Sequence, residues 1–161
     1  MGPGSEVKRM ALVIGNGAYT GASPLKNPVN DAVAVGKKLV DMGFEVRTET
    51  DATAEKMLRV LSDFTQALSA AGADGRPTAA VVFYAGHGVQ VDGENYLLPV
   101  DSVIRNKLDL LHSAVGLQIA LETLSSVTKT CVVLRDCRRD NPMPRPFGGG
   151  PRSAPAAPGL A

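Results

Sequence analysis

Ten residues near the middle of the chain, Ala79 to Gly88 (A-A-V-V-F-Y-A-G-H-G), limit the fold more than any other stretch. Ala79 to Tyr84 is an unbroken apolar run of strand length, rich in β-branched and aromatic residues and preceded by Pro77. A run without polar alternation fits a strand covered on both faces, as in a parallel sheet with helices on each side. Ala85-Gly86-His87-Gly88 interrupts it, and two glycines around one histidine predict a tight turn at the strand's carboxyl end. Open α/β sheets place their sites at such ends. His87 is therefore the first candidate functional residue, on condition that a neighbouring strand supplies a nucleophile.

The flanking sequence supplies the rest of an α/β domain. Lys8 to Ile14 reads as a first strand ending at the turn Gly15-Asn16-Gly17. Ala18 to Pro28 is loop by composition, with Tyr19, Leu25 and Asn27 as its notable side chains. A helix capped by Asn30 or Asp31 runs to about Met42, with Ala32, Val35, Leu39 and Val40 on its apolar face and Gly43 as its stop. Phe44 to Thr48 alternates as a second strand, and Thr53 caps a helix over Ala54 to Ala71 whose stripe is Met57, Val60, Leu61, Phe64 and Leu68. The order β-α-β-α-β predicts a mostly parallel sheet flanked by helices. Beyond His87, Asp92-Gly93 signals a hairpin, Asp101 to Ser113 has no clear period, Ala114 to Ser125 reads as a helix, and Thr128 to Leu134 as another buried strand. From Pro142 the sequence is rich in Pro, Gly, Ala and Arg without periodicity, which predicts a disordered linker.

Composition narrows the function. A formal charge of +1 gives no electrostatic reason to bind nucleic acid or an anionic membrane. With 44% apolar residues the chain has an ordinary globular share, and no run reaches transmembrane length. Met1-Gly2-Pro3-Gly4-Ser5 reads as a start codon plus a cloning scar, and no secretory signal follows, so a cytoplasmic location is expected. Three segments result: an N-terminal extension over 1–7, a domain over 8–142 and a tail over 143–161. Cys131 and Cys137 do not make a disulfide framework, and no spacing suggests a metal site or a cofactor.

The second candidate is Cys137, in Arg135-Asp136-Cys137-Arg138-Arg139-Asp140-Asn141 after the last strand. If the two strands are neighbours, thiol and imidazole share one rim. Positive charge from His87, Arg135, Arg138 and Arg139 favours the thiolate. The backbone N–H groups of Gly88 and Cys137 are candidates to face a developing oxyanion. This is the layout of Cys-His acyl transfer, with His87 passing a proton to the leaving amine. The plain alternatives are a small core cysteine and a solvated turn. Cys131, mid-strand among apolar residues, reads as inert core, and His112 as a surface residue.

Five pieces in order, A-L-V-I-G-N-G-A-Y (Ala11 to Tyr19), L-K-N-P-V-N-D-A (Leu25 to Ala32), F-Y-A-G-H-G (Phe83 to Gly88), N-Y-L-L-P-V-D (Asn95 to Asp101) and C-R-R-D-N-P (Cys137 to Pro142), resemble the large-subunit region of caspase-like cysteine peptidases, nearest the bacterial metacaspase and paracaspase-like branch. The resemblance implies a caspase-hemoglobinase fold and hydrolysis of peptide bonds by a His87–Cys137 dyad. It also implies selection of Arg or Lys through acidic pocket residues. Asp31 matches one of these. The second acid usually stands two residues before the nucleophile, where this chain has Arg135, with Asp136 one residue later. Arg135 would cancel Asp31 or favour an acidic substrate, and Asp136 would take the pocket role if the loop shifts. Asp31 read by itself is a helix N-terminal residue. The small-subunit strands of that fold are absent from this sequence, so the expected partners are a peptide substrate, that missing region and, through an exposed sheet edge, a second copy. Arg145 and Arg152 are expected self-processing points. Calcium dependence occurs in related metacaspases, and no ligands for it are assigned here. The competing expectation is a catalytically idle interaction domain of the same fold.

Overall fold

The computed structural model describes residues 6–138, so the tail over 143–161, with Arg145 and Arg152, lies outside the described residues. The elements are β1 (Lys8–Gly15), α1 (Pro28–Asp41), β2 (Glu45–Thr50), α2 (Ala54–Ala71), β3 (Thr78–Val91), β4 (Glu94–Leu97), α3 (Lys107–Ser113), β5 (Val115–Gly116), α4 (Leu117–Ser125) and β6 (Thr130–Arg138). β1 lies between β2 and β3, and β3 lies between β1 and β6, all in parallel. The far end of β3 turns through Asp92-Gly93 into antiparallel β4, which pairs with β5. Both turn residues have positive φ, 52° and 79°, as the Asp-Gly hairpin signal requires.

Strand alternation divides the core between two helical layers. Met10, Leu12 and Ile14 of β1 and Ala80, Val82 and Tyr84 of β3 face α2 and α4, meeting Met57, Phe64, Leu68 and Leu124. Ala11, Val13, Phe83 and Ala85 face α1, meeting Ala32 and Leu39. Each fully buried large apolar side chain among these contributes about 1.5–3 kcal/mol. β6 obeys the same alternation: Cys131, Val133 and Cys137 pack on the α2/α4 side. Val132 and Leu134 occupy the other face and stay about half exposed, at 47% and 48%. Among the described residues β6 pairs only with β3.

Four local expectations are corrected. The turn expected at Ala85–Gly88 is absent, and β3 runs through it to Val91 because β1 and β6 hold its first part and β4 its last. β6 extends to Arg138, so Arg135–Arg138 are ladder residues rather than a loop. α1 begins at Pro28 rather than after Asn30, since proline's fixed φ and missing N–H suit a first helical turn. α4 starts at Leu117 because Val115–Gly116 pair with β4, and the unassigned stretch before it holds α3, capped by Asn106. Thr53 caps α2 as expected, accepting from the N–H of Lys56 at 3.2 Å.

α1 seats tightly on the end of β1. A Cβ on Gly15 would lie 2.4 Å from the carbonyl oxygen of Pro28, so only glycine lets the helix start there. The next residue, Asn16, is fully buried and joins two loops: its Oδ1 accepts from the N–H of Ala52 at 2.9 Å and its Nδ2 donates to the carbonyl of Leu98 at 3.3 Å. Asn16→Ala is expected to lower the unfolding free energy by roughly 1–3 kcal/mol, because it orphans the buried Ala52 N–H. Urea denaturation checks this, and an unchanged midpoint would show that the loops do not depend on that bridge.

Candidate active site

The carboxyl ends of β1, β3 and β6 open on one rim, closed over by the loop over 16–27. Within it two tyrosines fix the backbone around His87. Tyr19 Oη donates to the carbonyl of Leu98 at 2.8 Å and accepts from the N–H of His87 at 2.8 Å. Tyr84 Oη donates to the carbonyl of His87 at 2.7 Å and lies 3.1 Å from Tyr19 Oη. Two hydroxyl protons thus serve two carbonyls. Burial, the largest influence on both, pushes the Tyr19 hydroxyl up to about 12 and the Tyr84 hydroxyl well above its ordinary value. Both therefore stay protonated and keep donating.

Gly86 makes this network fit. Its φ is +157°, and a Cβ there would stand 2.6 Å from each tyrosine oxygen. The two glycines around His87 therefore clear space for neighbours along a continuing strand instead of bending it.

His87 itself is 1% exposed, its ring set edge-on to Tyr19 with centroids 4.5 Å apart. Nε2 lies 2.8 Å from the carbonyl oxygen of Ser23. A carbonyl only accepts, so Nε2 carries the proton. Nδ1, buried and without a hydrogen-bond partner among the described residues, is then the nitrogen holding a lone pair in the neutral ring.

The parallel ladder brings β6 alongside: Gly86 pairs with Cys137 and His87 with Arg138. Paired residues of neighbouring strands share a face, and successive residues alternate. Cys137 thus joins the α2/α4 face, where a Cβ on Gly88 would meet its Sγ at 3.2 Å. With Arg135 it lines a cleft of about 20 Å³, room for roughly one water molecule. Arg138 lines the cleft on the α1 side. Histidine and cysteine are on adjacent strands at the same end of the sheet.

On the α1 face is a cleft of about 350 Å³, lined by Leu25, Asn27, Gly86, the acids Asp31 and Asp136, and the bases Lys26 and Arg138. Asp31 comes from the first turn of α1. The structure therefore brings Asp31 and Asp136 together and leaves Arg135 on the other face. Lys26 and Arg138 were not singled out as pocket residues from the sequence. Carrying the strand period through residue 138 would have put Arg138 beside Asp136. Cys131 is part-buried, which pushes its thiol up. His112 is exposed. A larger apolar groove of about 630 Å³ lies between α2 and α4, away from this rim. Among the described residues no group of three or more His, Cys, Asp or Glu could hold a metal ion, and no helix is long and apolar enough to cross a membrane.

A model of the caspase domain in peptidase family C14 matches residues 8–154. The chain belongs to the caspase family. The caspase domain is also 29% identical over 94 residues to the human mucosa-associated lymphoid tissue lymphoma translocation protein 1 and to its mouse homolog. That match covers 58% of this chain and 11% of each relative, so the chain spans about a tenth of their length. A crystal structure of a Geobacter sulfurreducens protein superposes with a TM-score of 0.54 at 21% identity, over 80% of this chain and 48% of that one, a likeness of fold.

Gly86→Ala is expected to destabilise the caspase domain by roughly 1–3 kcal/mol, the usual range for overpacking a filled site. The measurement is urea unfolding beside Gly93→Ala, where nothing lies within 4 Å of the added Cβ. Equal losses in the two variants would mean that backbone strain, and not the pair of hydroxyls, demands the glycine.

Proposed function

We propose that this chain is a peptide-recognition domain of the caspase family, gripping a basic side chain between Asp31 and Asp136. The observation that carries the reading is the shared cleft: an acid from the start of α1 and an acid from β6 line the same 350 Å³ space. A guanidinium pairs with carboxylates through fixed, charge-assisted hydrogen bonds, so two acids in one cleft suit an arginine well. Arg135, which would have opposed this choice from inside the pocket, lines the small cleft with Cys137 instead.

Acyl transfer needs a thiolate within reach of both the scissile carbonyl and the base. A second reading, cysteine endopeptidase through His87 and Cys137, is favoured by the pairing of their two strands at the carboxyl ends and by the contact of Cys137 with Gly88.

Two measurements test the readings. Fluorescence anisotropy with a labelled arginine peptide is expected to show binding that weakens about tenfold in Asp31→Asn and again in Asp136→Asn, the size of a lost charged hydrogen bond. A citrulline peptide that binds as well as the arginine peptide would remove the basis for the proposal. A fluorogenic peptidyl-arginine substrate distinguishes holding from cutting. Turnover abolished by both Cys137→Ala and His87→Ala would establish the endopeptidase reading, and binding without Cys137-dependent turnover a domain that only holds the peptide.

A further inference from the structure

The acidic cleft is not purely acidic. Asp31 and Asp136 share its lining with Lys26 and Arg138, two negative and two positive groups. Among the described residues none of these acids forms an ion pair with either base. A ligand offering only a cation would meet repulsion as well as attraction. A ligand carrying a cation and an anion at the right separation would satisfy both sets.

β6 sets an acid and a base on one face. Asp136 and Arg138 are two residues apart on one face, and Arg138 stands nearer the carboxyl end, paired with His87. Two residues of strand span about 6.6 Å. An extended arginine side chain reaches a comparable distance from α-carbon to guanidinium. With the guanidinium of a bound residue between Asp31 and Asp136, the long Arg138 side chain has the length to meet that residue's main-chain carboxyl group. In a peptide that continues, this group is a neutral amide. In a peptide that ends there, it is a carboxylate, which an arginine binds bidentately.

We propose that the ligand is the carboxyl-terminal residue of a peptide ending in arginine or lysine, its side chain held by Asp31 and Asp136 and its terminal carboxylate by Arg138. This rests on the basic-side-chain reading above and adds which part of the peptide is read. Such ends arise wherever a peptide bond is hydrolysed after a basic residue. Arg138 then does more than fill the place opposite His87: it separates a finished end from an uncut chain.

The experiment is anisotropy titration of three labelled peptides of identical sequence, ending in free arginine, arginine carboxamide and free citrulline. Wild type is expected to bind the free arginine end about tenfold more tightly than its carboxamide, the worth of a charged hydrogen-bond pair. In Arg138→Gln this preference falls to about one while citrulline stays the weakest, and Arg138→Lys restores part of it. Arg138 is exposed on the last residue of β6, so its replacement leaves the core intact. Equal binding of acid and carboxamide by wild type, with arginine still preferred over citrulline, overturns this inference and leaves the basic pocket standing. Loss of the arginine preference over citrulline, or no binding of any peptide, overturns both.

Discussion

Side chains alternate across a strand, and the ladder between β3 and β6 turns that alternation into a separation of chemistry. Nine residue pairs, from Ala79 with Thr130 to His87 with Arg138, lock the two strands in register. Every residue of β6 is thereby committed to a face. The odd-numbered positions from 131 to 137 go with α2 and α4, while Asp136 and Arg138 go with α1 and the loop that carries Lys26. Sliding the register by one would drive Val133 out of its core and set charged Asp136 into an apolar layer. The arrangement of the rim thus rests on the packing of the sheet beneath it.

The imidazole is held by a different kind of constraint. His87 sits where the parallel part of β3 gives way to the hairpin, and its own N–H and carbonyl are both taken by tyrosine hydroxyls. These hydroxyls come from β3 and from the loop after β1, and both reach the carbonyl of Leu98 after β4. Three segments meet in a buried network, where each bond is stronger than in water and each loss more costly. The Ser23 carbonyl finishes the task by choosing which ring nitrogen bears the proton.

Much of this was legible in the residues. Apolar runs and helix stripes gave the order of elements, since periods of two and of 3.6 report which face is buried. The Asp-Gly hairpin and the Thr53 cap were read from side-chain chemistry that acts locally. The candidate site was legible only in part. Gly86 and Gly88 look like a turn in sequence because a missing side chain has two uses, backbone freedom and close approach, and only the neighbours decide between them. Here Tyr19, Tyr84 and Cys137 are those neighbours, and only Tyr84 is close to the glycines in sequence. Likewise, Arg135-Asp136-Cys137-Arg138 reads as a solvated turn because its charges hide a strand that is paired on one side only. The acid of α1 and the acid of β6 were both named in advance. That they line one cleft, with Arg135 outside it, depends on tertiary register that no local pattern encodes.

The contact between Gly88 and the Cys137 sulfur has an evolutionary corollary. Point substitution leaves a side chain on the side of the sheet where it began, so every replacement at position 137 still points toward Gly88. Insertion or deletion of one residue between Leu134 and Cys137 turns the side chains that follow to the opposite face at a stroke, while leaving the upstream core untouched. Ancestry in this segment is therefore better traced through gaps than through replacements.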